Sequence, residues 1–162
     1  MKKILTLITT ALLFSACSTT ALINTQNQLP DTNQTLSISL FELSNYTDTP
    51  RAGMRATNLV EGVLLARGYK LKTHLNQKVD SLEDAQDSAQ EDHSEYFLIG
   101  GISEWRYKTG IDGEPAVSLQ LSLYQTKNAT LVWSATGSDS DWGNGSIGST
   151  AQNLIEQMTN RH

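Results

Sequence analysis

A single cysteine, Cys17, stands in a chain of 162 residues, so no disulfide can form within it. The three histidines, His74, His93 and His162, are scattered, and none has the spacing to hold a metal or serve a nucleophile. No phosphate loop or nucleophile elbow is present. These gaps leave no recognisable catalytic site, no metal and no cofactor other than a possible covalent lipid, although a novel site needs no known motif. No apolar run approaches the ~20 residues that cross a bilayer. Positive charge is also scarce, with 12 Lys and Arg against 17 Asp and Glu. Nucleic acids and anionic headgroups favour basic surfaces, so an acidic chain suits a cationic partner better. Acidity also confers solubility, so this sign alone decides little.

What is present begins at the N-terminus. Lys2 and Lys3 precede an apolar run from Ile4 to Phe14, broken by threonines, and then Ser15-Ala16-Cys17. That order describes a signal peptide over residues 1–16. The cysteine after Ser15-Ala16 makes it resemble the lipobox of bacterial lipoproteins. In that class the cysteine receives a diacylglyceryl group and an N-acyl chain and becomes the first mature residue. Ser18, not being aspartate, is compatible there with sorting to the outer membrane. Each buried methylene contributes about 0.8 kcal/mol, so several chains anchor stably. Without Lys2 and Lys3, ten bases face seventeen acids, a net charge of −7. Residues 17–35, rich in Thr, Asn and Gln, read as a lipidated tether reaching about 60 Å at most.

The single domain is expected over 36–162. Leu36, Ile38 and Leu40 alternate with serines, as in a half-buried strand. Asn45 to Pro50 is a turn, with Thr49 placed to cap a helix that Pro50 would begin. Ala52, Ala56, Leu59, Val60, Val63 and Leu64 form one apolar stripe, which Arg67-Gly68 closes. Tyr69 to Thr73 is a short strand. Residues 78–95 carry seven acids and one lysine, and read as a short, mobile acidic helix with a solvated face. Three strands follow as a meander. The first, Tyr96 to Lys108, contains Gly100-Gly101, a bulge or a close approach. Val117, Leu119, Leu121 and Leu123 then alternate with polar residues. Leu131 to Ser138 is the last strand, and Ser146 caps a helix with Ile147, Ala151, Leu154, Ile155 and Met158 on one face. The order βαβ(α)βββα describes an α+β domain, helices packed on a mixed β-sheet.

The three tryptophans differ in setting. Trp133, in an apolar strand, belongs to the core, while Trp105 between Glu104 and Arg106 divides evenly between core and contact surface. Trp142 lies in a loop of aspartates, serines and glycines. It either folds back over the sheet edge or meets a membrane, because indole favours the membrane–water interface. Asp139-Ser140-Asp141 resembles the start of a calcium loop, but Asn144 stands where glycine is required and Thr150 where glutamate is required.

Several stretches together resemble one family. They are Asn45 to Gly53 after a strand, the helix end Ala66-Arg67-Gly68, Asp112-Gly113-Glu114-Pro115 before an amphipathic strand, and Leu131 to Ala135 running into Trp142-Gly143. This pattern is similar to the PelC family of outer-membrane lipoproteins, which serve Pel exopolysaccharide export and share a CsgG-like fold. The resemblance implies a dodecameric ring on the periplasmic side of the outer membrane, with biofilm polymer export as its role. An electronegative surface would guide a cationic polysaccharide to an outer-membrane channel protein, PelB. It further implies membrane contact by Trp142 and an acidic guiding surface at Asp112 and Glu114. The plain alternatives are a turn aspartate and an exposed glutamate. Two other readings stay open: a monomeric lipoprotein adaptor, such as an activator of a cell-wall synthase, and a lipoprotein enzyme. If Trp142 meets the membrane, Trp142→Ala will weaken liposome association and export with thermal stability nearly unchanged. A large loss of stability would place the indole in the core.

Overall fold

The alternation along β6 (Pro115–Gln125) puts Val117, Leu119, Leu121 and Leu123 on one buried face, and the sheet is organised around it. The computed structural model describes residues 21–32, 36–108, 113–141 and 145–160. The other strands are β1 (Leu22–Gln26), β2 (Ser37–Phe41), β3 (Ser44–Asn45), β4 (Lys70–His74), β5 (Tyr96–Tyr107) and β7 (Thr130–Ser140). Three helices join them: α1 (Ala52–Ala66), α2 (Leu82–Glu91) and α3 (Ile147–Met158). One mixed sheet runs β1-β7-β6-β5-β2-β4, with β3 beside β5. Strands β2, β4 and β5 are parallel, whereas β5, β6, β7 and β1 are antiparallel neighbours. The α+β class and the mixed sheet expected from the pattern are both present.

Handedness distributes the helices. The chain moves outward from β2 to β4 through α1, then back across β2 to β5 through α2. Parallel crossovers are right-handed, so reversing direction puts the second helix on the opposite face. Helices α1 and α3 lie side by side on the first face. There Val60, Leu64, Leu154 and Ile155 close over Leu40, Leu98, Leu121 and Trp133. Trp105 joins this core at 4% exposure, which settles its divided reading. The Arg67 guanidinium donates to the main-chain oxygens of Thr159 and Glu156, at the negative end of α3. Gly68, at φ 90°, takes the left-handed conformation that ends α1.

Three local expectations change. Leu22–Gln26, expected in the tether, pairs with β7, while Leu29 is buried and the Pro30 carbonyl accepts a hydrogen bond from the Tyr69 hydroxyl at 2.7 Å. The folded unit therefore starts well before residue 36, because β7 offers an unpaired edge for this segment. Thr49 does not cap α1, since its Oγ1 donates to the Trp105 carbonyl at 2.6 Å. The helix begins instead after Arg51, which is left-handed at φ 59°. Of the two readings of Gly100-Gly101 the close approach holds, and the register shift falls nearby, between Ile102 and Glu104.

The acidic segment forms the expected helix, and the third difference is that this helix is fastened to the sheet. Ser81 caps α2 by accepting from the Asp84 N–H, and the small Ala85 and Ala89 let the helix approach Phe41 and Phe97 closely. Beyond its last turn, Asp92 acts as a clasp. Its carboxylate accepts from Ser39 Oγ at 2.6 Å, lies 2.6 Å from His74 Nε2 and pairs with Lys72. Its side chain is 4% exposed. Burial by itself raises the carboxyl's pKa, but Lys72, Ser39 and His74 together hold it below the ordinary value. Asp92→Ala is expected to cost about 1–3 kcal/mol by orphaning buried partners. A depressed carboxyl stabilises fully above its unfolded value of about 3.9 and loses that contribution as pH falls through its folded value. Urea unfolding of the wild type and the variant should thus converge towards acid, and equal stability at neutral pH would show that the clasp contributes nothing.

Candidate functional site

Antiparallel pairing brings distant segments to one end of the sheet. Tyr107 faces Pro115, Ala116 faces Ser140, and the Asp141 N–H donates to the Pro115 carbonyl at 3.3 Å. Leu22, the first residue of β1, pairs with Ser138 at this same end. The turn after Lys108, the loop after Asp141 and the chain leading back from Ala21 all leave here. Cys17, Asp112 and Trp142 themselves lie outside the described residues. Their described neighbours nevertheless fix the departure point of each segment. Asp112 directly precedes Gly113, Trp142 directly follows Asp141, and Cys17 comes four residues before Ala21.

Glu114 is described in full. Its carbonyl accepts from the Lys108 N–H at 2.6 Å, and its Oε2 lies 3.7 Å from Lys108 Nζ. The side chain is 13% exposed, so Glu114 is a largely hidden carboxylate with a lysine partner. Part of its charge is offset locally. Two further acids reach this end without having been singled out as an acidic surface. Asp139 follows Ala135 and Gly137 on the helix-covered face, and one of its carboxylate oxygens is buried with no hydrogen-bond partner. Burial raises its pKa, a hydrogen bond with the Ser140 main chain opposes this, and the Asp141 charge adds to the rise. Such a group favours the fold fully at acid pH and loses that contribution as pH rises through its folded value. Asp141 Oδ2 lies so near Gly145 that a Cβ there would come within 2.0 Å of it, which explains the glycine. The signal for these two residues was the Ser-Asp-Ser-Asp run, weighed for calcium and not for a charged rim.

Ser39, His74 and Asp92 have the residue types of a hydrolytic triad but the wrong connectivity. Ser39 Oγ and His74 Nε2 both contact Asp92 Oδ2, so the imidazole does not stand between hydroxyl and carboxylate and cannot take the serine proton. The other ring nitrogen, Nδ1, lies 2.8 Å from Gln77 Oε1. This cluster fastens α2 to the sheet. Among the described residues, no group of three His, Cys, Asp or Glu could hold a metal ion, and no helix is long and apolar enough to cross a membrane.

No protein-family model and no curated protein sequence matches the chain. Solved structures do match. PelC from Paraburkholderia phytofirmans, solved as a dodecamer, is 28% identical, covers 86% of this chain and 94% of its own, and superposes with a TM-score of 0.76. Lipoprotein GNA1162 from Neisseria meningitidis is 17% identical over 78% of this chain and 99% of its own, with a TM-score of 0.55. The LpoB C-terminal domain from Salmonella enterica is 14% identical over 82% and 92%, with a TM-score of 0.50. The last two share the fold. With PelC the likeness extends to sequence across nearly the whole folded unit, so the chain is similar to PelC in both sequence and fold.

Proposed function

We propose that the chain is a non-enzymatic lipoprotein of the outer membrane, anchored through lipid on Cys17 and facing the periplasm, which assembles into a ring and guides a cationic exopolysaccharide towards a PelB-like channel. The observation that carries this reading is the shared end of the sheet. The chain leading to Cys17, the loop bearing Trp142 and the turn bearing Asp112 all leave there. The four residue steps from a lipidated Cys17 to Ala21 would reach about 14 Å when extended. That distance holds this end near the headgroups, where an indole at 142 finds its preferred surroundings. It also suits a protein working at the membrane surface better than an adaptor that must reach a distant partner.

The acidic surface would sit at the same mouth. Asp112 is its leading member, supported by Asp141 and the partly hidden Asp139, with Glu114 tempered by Lys108. A single subunit presents a modest charge. A closed ring repeats each carboxylate once per subunit, and the summed field attracts a polycation over roughly a Debye length, about 8 Å at physiological salt. The dodecameric form of the similar PelC supports ring assembly here.

Light scattering on the lipidated protein in mild detergent should give one species near twelve times the monomer mass. A clean monomer at high concentration would remove the ring, and the field argument with it. Within the ring, Asp112→Asn is expected to reduce secreted polymer several-fold while leaving assembly intact, with less effect as ionic strength rises. Undiminished secretion by that variant would detach Asp112 from the guiding surface.

A further inference from the structure

Helix α2 covers one corner of the second sheet face, and among the described residues no other helix covers the rest. Across β1, β7, β6 and β5 the bare part forms a groove of about 500 Å³, within the range of roughly 300–1,000 Å³ usual for ligand sites. The polar lining of its floor is Asn24, Ser103, Ser118, Gln120, Thr136 and Ser138, and the exposed Leu22 of the edge strand adds an apolar side. Tyr46 rises from this floor with 75% of its surface exposed. Its main-chain N–H donates to the Ile102 carbonyl at 2.9 Å, and its ring rests on Gly101, where a Cβ would come within 2.6 Å of a ring carbon. Two adjoining cavities share Tyr46. One is lined by Glu42 and Asp80, the other by Asp48, Glu104 and Arg106. Arg106 is paired with Glu104 at 2.9 Å and the Asn76 N–H donates to Glu42 at 2.7 Å, so the four carboxylates that line these cavities are partly offset.

The composition of this groove selects its occupant. A sheet face made to receive another helix carries aliphatic side chains, as the opposite face does. Here the floor offers short hydroxyls and amides, which donate and accept hydrogen bonds with a polyhydroxylated ligand. An upright aromatic ring presents a flat apolar surface on which the C–H face of a pyranose packs. An ammonium group near that ring is attracted both by the ring and by the surrounding carboxylates. Sugar hydroxyls, a pyranose face and positive charge occur together in a glycan of deacetylated amino sugars.

The geometry points to this groove as a binding site for amino-sugar units of a cationic glycan, with Tyr46 as the stacking platform and Glu42, Asp48, Asp80 and Glu104 as the charged rim. This rests on the export reading above and adds to it a contact site on the sheet face, adjoining the acidic end. Polymer approaching the membrane would be held by weak, repeated stacking on every subunit before it meets the mouth. Weak contacts suit a moving chain, because each must release as the next forms.

Calorimetry on the full lipidated protein in detergent tests the site, using a fully deacetylated glucosamine hexamer, its N-acetylated counterpart and hexalysine as probes. The glucosamine hexamer should bind best, the neutral hexamer more weakly because it lacks charge, and hexalysine more weakly because it lacks the pyranose face. Tyr46→Ala should weaken the first roughly tenfold, while Tyr46→Phe retains it. Gly101→Ala should also weaken it, since the new methyl displaces the mobile ring at little cost in thermal stability. The site is overturned if both alanine variants bind as the wild type does, if hexalysine binds as well as the sugar, or if the wild type binds none of the probes. Loss of the oligomer in Tyr46→Ala would likewise overturn it, by showing an interface between copies. Export measured after deletion of the gene separates the two readings. Export lost on deletion, with hexamer binding indifferent to Tyr46, removes the groove alone. Export unaffected by deletion removes the guiding reading beneath it.

Discussion

The antiparallel register of β5, β6 and β7 is the constraint from which the rest of the molecule follows. Once Tyr107 faces Pro115 and Ala116 faces Ser140, the turn after β5 and the loop after β7 must leave the sheet together. A shift of one residue in β6 would turn Val117, Leu119, Leu121 and Leu123 out of the core, so the hydrophobic pattern holds this register firmly. Strand β1 then adds to the free edge of β7 in the only direction that antiparallel pairing allows, and delivers the N-terminal chain to the same end. The segments that lead to Cys17, Trp142 and Asp112 thereby leave the same end of the sheet, through backbone pairing alone.

The unequal treatment of the two sheet faces has an equally simple origin. Two right-handed crossovers in opposite directions put α1 and α2 on opposite sides, and α3 then joins α1. One face is sealed by two helices and carries the aliphatic core. The other receives a short acidic helix, fastened by Ala85, Ala89 and the buried clasp at Asp92. What α2 does not cover remains a polar floor with Tyr46 standing on it. The same topology thus makes a rigid body on one side and an accessible surface on the other.

Regular elements were legible in the chain where their signal was local. The period-two alternation of β6, the three-and-four spacing of α1 and α3, the serine cap of α3 and the glycine stop of α1 all survive in the structure. The stretches that resembled PelC led to the fold that the comparisons support. Failures came where a partner lies far away in sequence. Leu22–Gln26 alone looks like a polar tether, and only an edge more than a hundred residues later makes it a strand. Thr49 has the chemistry of a cap, but its hydroxyl is claimed by the Trp105 carbonyl, 56 residues on.

By itself, then, the sequence determined the strands and helices with strong periodicity, the acidic balance and the residue types open to function. Propensity, capping and patterning act within a few residues, so they can be read in order along the chain. Tertiary structure alone decided that residues 22–26 complete the sheet, that Asp92 locks an acidic helix in place, and that the segments leading to Cys17, Asp112 and Trp142 share one end. Those outcomes depend on pairings between distant residues, and a linear pattern carries no record of which edge or which buried hydroxyl a segment will meet.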